Sequence, residues 1–270
     1  MSTPHAVTEN VVLEQREGAA LTLTLNRPDR LNAMNGPLCK ALLESLQRAA
    51  ADDSVRCVVL TGAGRAFCAG GDIPMMREAR MRGEPGQLEV MLRSSVDIIV
   101  LMRSMPKPVV AAVNGPAAGG GANLALGADI RIASDTAVFA QSFAKIGLFP
   151  DYGGTWTLPR LVGLAAATEL LITGESVNAQ EALRLGMVNR VVPAERLAEE
   201  TRATVARLLA APPLAVRGIK QALYANGAIE DLRRALEFEN KKQMECFVSQ
   251  DAGEGFDAFI EKRKPNFTGH

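Results

Sequence analysis

Three glycine-rich runs carry the strongest chemical suggestion in this chain: Gly62–Gly71, Asn114–Gly121 and Gly147–Gly154. Glycine lets bare backbone approach a ligand, because no Cβ stands in the way. Two such loops at neighbouring strand ends could aim two N–H donors at one carbonyl oxygen and stabilise the enolate formed when the adjacent carbon loses a proton. The runs do not spell a nucleotide site. Gly62-Ala63-Gly64-Arg65-Ala66-Phe67 has Phe where a dinucleotide fingerprint needs its third glycine, and no run ends in the Gly-Lys-Ser/Thr of a phosphate-binding loop. The third run contains one acid, Asp151, which on residue type alone reads as a cap for a helix beginning near Gly153.

Histidine narrows the chemistry further. The only two, His5 and His270, lie in terminal segments expected to be mobile. A Ser-His-Asp or Cys-His nucleophile, or a His-ligated zinc, is therefore not expected. Cys39, Cys57, Cys68 and Cys246 are scattered without a Cys-x-x-Cys pair. They read as reduced thiols of a cytoplasmic protein, with neither a disulfide framework nor a metal site. Thirty Lys+Arg balance thirty Asp+Glu, which excludes the broad phosphate-binding surface of a nucleic-acid binder but leaves room for one local basic pocket. With no basic-then-apolar leader pattern and no uncharged apolar run of spanning length, no membrane association is expected.

The elements that must position these loops follow from periodicity. Val11–Arg16 and Ala20–Leu25 read as a hairpin around Glu17-Gly18. Gly36-Pro37 opens a helix whose Leu38, Leu42, Leu46 and Ala49 recur at helical spacing. Arg56–Thr61, Val109–Val113, Asp129–Ala133 and Met187–Val192 read as buried strands, and Gln87–Arg103 as an amphipathic helix stopped before Pro106. Strands alternating with helices predict an α/β fold with mainly parallel pairing and a ligand site beyond the carboxyl ends of the strands. From about Ala194 the pattern is helical only. A boundary is placed near residue 200, with a core over 1–200 and a helical region, a lid or an oligomer surface, over 201–270.

The motifs then form a recognisable order. Asn26-Arg27-Pro28 with Asn32-Ala33 comes first, then Gly64-Arg65-Ala66-Phe67-Cys68-Ala69-Gly70-Gly71-Asp72-Ile73. Asn114-Gly115-Pro116-Ala117-Ala118-Gly119-Gly120-Gly121 and Gly147-Leu148-Phe149-Pro150-Asp151-Tyr152-Gly153-Gly154-Thr155 follow, and Glu254–Arg263 closes the series. From about residue 11 to 267 the chain closely resembles the crotonase (enoyl-CoA hydratase/isomerase) superfamily. The resemblance implies a ββα spiral core carrying an acyl-CoA site. It implies that Gly71 and Gly120 supply the two N–H donors of an oxyanion hole for the thioester oxygen. Ala69 and Ile73 would line the adenine end of CoA, and Phe259 and Lys262 would reach CoA from the tail, often of a neighbouring subunit. Arg27, Asp72, Asn123 and Phe143 complete the expected substrate- and CoA-binding set. Coenzyme A would enter only as part of the substrate, no metal or further cofactor is implied, and a homo-oligomer, a trimer or a pair of trimers, is expected.

The same resemblance bears on the reaction. Family hydratases activate water with two glutamates, and the matching positions here are Asn123 and Phe143. Neither exchanges a proton near neutral pH. Asp151 matches the position where several isomerases and the 4-chlorobenzoyl-CoA dehalogenase carry an acid, and the dehalogenase reading lacks its assisting histidine. Gly121–Leu126, Gln141-Ser142-Phe143 and Gly147–Asp151 look most like the ring-epoxide phenylacetyl-CoA isomerase branch, with generic enoyl-CoA isomerases close behind. A double-bond or activated-ring isomerisation by Asp151 is the expectation. Burial beside Phe143, Phe149 and Trp156 would raise its pKa. The rivals are a hydratase with atypical acid–base residues and a non-catalytic acyl-CoA binder.

Overall fold

The computed structural model describes residues 10–84, 86–225 and 249–270. Nine strands are assigned within them: β1 (Val12–Glu17), β2 (Ala20–Leu25), β3 (Cys57–Gly62), β4 (Val109–Val113), β5 (Ala117–Ala118), β6 (Ile130–Ser134), β7 (Val138–Ala140), β8 (Ser176–Asn178) and β9 (Arg190–Val192). Six form the main sheet, in the order β1-β2-β3-β4-β6-β9. The β1/β2 pair is the expected antiparallel hairpin, and every later neighbour is parallel.

Parallel pairing needs crossovers, and the first is α1 (Gly36–Ala51). Asn35 caps it by accepting the Leu38 N–H, Pro37 sits in its first turn, and Leu38, Leu42, Leu46 and Ala49 form its buried stripe. α2 (Ile73–Arg82) and α3 (Gly86–Ser104) lead into β4. The strands alternate between two cores: Leu21, Leu23, Val58, Leu60 and Ala111 meet Leu38, Leu42, Ile98 and Met102 on one face. Cys57, Val59, Val110, Ala112 and Ile132 meet Leu197 and Val205 on the other. Burial on both faces explains the unbroken apolar runs of β3 and β4.

Leu197 and Val205 belong to α8 (Leu197–Leu209). The boundary expected at residue 200 therefore falls inside a helix that covers the main sheet, so the core layers extend beyond it. A second sheet, β5-β7-β8, lies outside the sequence expectations, because strands of two or three residues are too short to show a period. Single bridges, Met34 to Gly71 and Cys68 to Ala117, tie the loops between the sheets together.

α4 (Gly120–Gly127) is buried throughout, and α5 (Gly154–Val162), α6 (Leu164–Thr173) and α7 (Ala179–Arg184) follow it. α9 (Pro213–Ala225) and α10 (Gln250–Glu261) complete the described helices. No described helix is long and apolar enough to cross a membrane. The C-terminal segment is anchored, contrary to the mobility expected of it. The Asp251 carboxylate accepts N–H groups from Thr268 at 2.6 Å and Gly269 at 2.9 Å, and Asp251 N donates to His270 O at 3.0 Å. Cys39, Cys57 and Cys68 are buried free thiols, while His5 and Cys246 lie outside the described residues.

Candidate active site

The glycine loops after β3 and β4 meet backbone to backbone. Asn32, fully buried, donates to Ala63 O at 2.9 Å and Ala66 O at 2.8 Å. Asn114 donates to Gly64 O at 3.0 Å and accepts from Gly62 N at 3.1 Å. Beside the expected oxyanion positions, Gly70 has φ +90° and a Cβ there would lie 2.8 Å from Ala118 O and 3.6 Å from Gly120 N. Only glycine fits that position on both conformational and steric grounds. The two expected oxyanion donors are thus brought to adjoining loops. Gly119 N is used, donating to Ala140 O at 2.8 Å, but neither Gly71 N nor Gly120 N has an acceptor among the described residues. Gly120 also opens α4, so its N–H stands at the positive end of a helix.

Both glycines line a cavity of about 160 Å³. Ala69, Ile73, Phe143 and Asp151 line it too, as do Met34, Met76, Leu88, Met91, Leu92, Ser142 and Tyr152. Asp151 is the one charged side chain among the described lining residues. A methyl group placed on Gly120 would lie 3.0 Å from Asp151 Oδ1, so the carboxylate packs against Gly120, the second expected oxyanion residue. That Oδ1 is buried and has no hydrogen-bond partner. Burial pushes the Asp151 carboxyl up from 3.8 to about 6, with a smaller opposing contribution from a backbone hydrogen bond.

The capping role open to Asp151 on residue type is not the one it takes. The N-cap of α5 is Gly153, with no side-chain cap, and Asp151 contributes only its carbonyl, which accepts from Gly154 N at 3.0 Å. Two expected sources of burial also need correction. Phe149 is 78% exposed, and Trp156 is half-exposed, its ring under the guanidinium of Arg160 at 4.0 Å. The apolar wall comes instead from Phe143, Leu148 and the buried ring of Tyr152. Tyr152 adopts φ +49°, rare for a residue with a side chain, and its hydroxyl lies 3.4 Å from Cys39 Sγ.

Arg27, Asp72 and Asn123 take places other than the cavity wall. Arg27 and Asp72 pair with each other at 2.9 Å, Arg27 also donates to Ala33 O, and Asp72 Oδ1 accepts from Met75 N at the start of α2. Their charges fix the Gly71 loop and are already satisfied. Asn123 is fully buried on α4, donates from Nδ2 to Asp151 O at 2.9 Å and accepts from Gln141 Nε2 at 2.8 Å, so it holds the acid's backbone instead of facing the cavity. Phe259 lies in α10 with its side chain outside the described residues, and Lys262 is exposed just beyond that helix. Sequence reasoning did not reach Leu88, Met91 and Leu92. Their helical spacing on α3 was the available signal, but nothing in it marks which cavity that face meets.

The match to known proteins agrees with this geometry. Residues 15–270 fit the family model described as enoyl-CoA hydratase/isomerase. The chain belongs to the enoyl-CoA hydratase/isomerase family. It is 41% identical over 259 residues to the 1,2-epoxyphenylacetyl-CoA isomerase of Escherichia coli, covering 96% of this chain and 98% of that protein. It is 40% identical over 265 residues to the crotonyl-CoA hydratase of Syntrophomonas wolfei, with coverage of 96% and 98%. The crystal structure of an enoyl-CoA hydratase from Polaromonas superimposes with a TM-score of 0.90 at 36% identity, over 95% of this chain and 99% of that one. This family member is therefore an acyl-CoA-transforming enzyme, and the crotonase-like α/β core with helical C-terminal region expected from the motifs is the architecture it has. The non-catalytic reading is set aside.

Proposed function

We propose that this enzyme shifts a double bond, or opens an activated ring, in an acyl-CoA through Asp151 alone. The observation that carries the reading is the single carboxylate, raised to about 6 and packed against Gly120, in a cavity with no second acid among its described lining residues. In a 3-enoyl thioester, Asp151 takes a proton from C2, and the electron pair moves onto the thioester oxygen. The Gly71 and Gly120 N–H groups stabilise that dienolate oxygen. The same carboxylic acid then returns the proton at C4, leaving the conjugated 2-enoyl thioester with no water added. A group titrating near 6 suits both halves of this exchange, since it is neither too weak a base nor too weak an acid.

Hydration is the second reading, because the S. wolfei relative is a crotonyl-CoA hydratase. It is disfavoured by Asn123 and Phe143, which stand where the two water-activating glutamates are expected. Coenzyme A enters only within the substrate on this proposal, and the enzyme is a cytoplasmic homo-oligomer, a trimer or pair of trimers, in which Phe259 and Lys262 approach CoA. On this reading the acyl end faces a wider, mainly apolar chamber of about 470 Å³ lined by Met75, Met76, Leu88, Ile146 and Leu148, with Arg77 and Glu84 also on its wall, which suits a chain longer than crotonyl or an aryl group. The test is turnover of a panel of 2-enoyl-, 3-enoyl- and ring-epoxide acyl-CoAs by wild type and Asp151→Asn. Isomerisation lost in the variant with CoA-ester binding retained supports the proposal. Fast hydration of a simple 2-enoyl-CoA, lost only on changing Asn123, overturns it.

A further inference from the structure

We propose that Gln141 is a positioning residue for Asp151, acting through the side-chain amide of Asn123; the inference rests on the reading of Asp151 as the proton-transferring group. Gln141 is 2% exposed and Asn123 fully buried. Gln141 Nε2 donates to Asn123 Oδ1 at 2.8 Å, which forces the other end of that amide, Nδ2, toward Asp151 O, where it donates at 2.9 Å. A primary amide can present either end, and a fixed donor on one side decides which. The amide packs directly against Gly154, where a Cβ would lie 2.3 Å from Asn123 Nδ2, so a glycine at 154 is what lets the amide reach the Asp151 carbonyl. The Asp151 carbonyl thus accepts two bonds, from Asn123 and from Gly154 N at 3.0 Å, and its backbone is pinned from both sides.

Two observations set Gln141 apart from a polar side chain that merely fills space. Its Oε1 is buried without a hydrogen-bond partner, so this amide keeps a desolvated acceptor in order to make one donor contact. It also directly follows β7, whose Ala140 O holds Gly119 N at 2.8 Å. One short segment therefore fixes the oxyanion loop through its backbone and the acid through its side chain. Displacing the acid relative to Gly120 would misalign base and oxyanion donor, and misplacements of about 1 Å cost on the order of 100-fold in rate.

The test is a double-mutant cycle in the full-length protein with Gln141→Met, which keeps the shape and removes the donor, and Asn123→Ala, which suits a helix. Turnover of the best substrate of the panel, KM and the pH dependence of kcat/KM are measured, with thermal melting to confirm folding. Each single variant is expected to lower kcat by about 10- to 100-fold, to leave KM within about twofold, and to move the apparent pKa near 6. The double variant is expected to be no worse than the poorer single, because both act along one chain of bonds. Wild-type kcat in Gln141→Met, or multiplicative losses in the double variant, overturns the inference. If Gln141→Met does not fold, Gln141→Glu is read in its place. An ionised carboxylate there can only accept, turns the Asn123 amide over, and is expected to give the same kcat loss at unchanged KM; wild-type kcat again overturns the inference. Asp151→Asn assayed alongside separates the two claims. Activity retained in that variant refutes the function proposed for Asp151, whereas its loss together with an unaffected Gln141→Met refutes only the positioning role.

Discussion

Replacing Asp151 by Asn is expected to inactivate the enzyme and stabilise the fold at once, and the size of the second effect follows from the site. Burial raises the carboxyl from 3.8 to about 6. Between those values the folded protein holds a proton that the unfolded chain releases. The contribution of this group to stability is therefore fully present below about pH 4 and is lost as pH rises through 6. Two pKa units at 1.36 kcal/mol each give a cost of about 3 kcal/mol once the carboxyl is ionised, with roughly half in place at pH 5. Asparagine mimics the protonated form and removes this cost. Urea unfolding can be followed by the fluorescence of the single tryptophan, Trp156, on the helix that follows Asp151. Asp151→Asn should exceed wild type by about 3 kcal/mol at pH 8, by about half that at pH 5 and by only about 0.5 kcal/mol at pH 4. Equal stability at pH 8, or a gap that widens as pH falls, would refute the reasoning, because either would mean the carboxylate is well solvated or paired.

Three further outcomes are expected. The wild-type kcat/KM should rise with pH through about 6 and then level off, since the base must be ionised; a profile flat from pH 5 to 8 would exclude Asp151 as the base. Gly70→Ala should lose at least about 1–3 kcal/mol of stability together with turnover, because it places a Cβ at φ +90°, 2.8 Å from Ala118 O, checked by thermal melting. Met75→Trp, at a residue that lines the wider chamber and not the cavity around Asp151, should depress kcat/KM for long or aryl acyl-CoAs by about 10-fold or more while sparing short chains; uniform loss across chain lengths would place the acyl group elsewhere.

The parts of the fold that were legible are those with a repeating physical signal. α1 announced itself through Leu38, Leu42 and Leu46, and β3 and β4 through apolar runs that both faces bury. β5, β7 and β8 have two or three residues each and are made by tertiary pairing, so no local period records them. In the site, the glycines were legible because close backbone approach excludes every other residue. Asp151 was ambiguous between cap and base on its own type; the structure gives the cap position to Gly153, and the unpartnered buried oxygen of Asp151 supports the proposed base. The tasks of Arg27, Asp72 and Asn123 depend on which groups lie across space from them, Asp72 lying 45 residues from Arg27 and Asp151 28 from Asn123. Tyr152 gave no sign of its left-handed backbone, since tyrosine has no preference for it.

The central claim is that one carboxylate moves a proton and no water is added. Incubation of a 3-enoyl-CoA in D₂O, with the products separated and weighed, tests it directly. The account predicts a conjugated 2-enoyl-CoA that differs from the substrate only by exchanged deuterium, formed by wild type and not by Asp151→Asn. A product heavier by one D₂O, formed equally by both proteins, would contradict it.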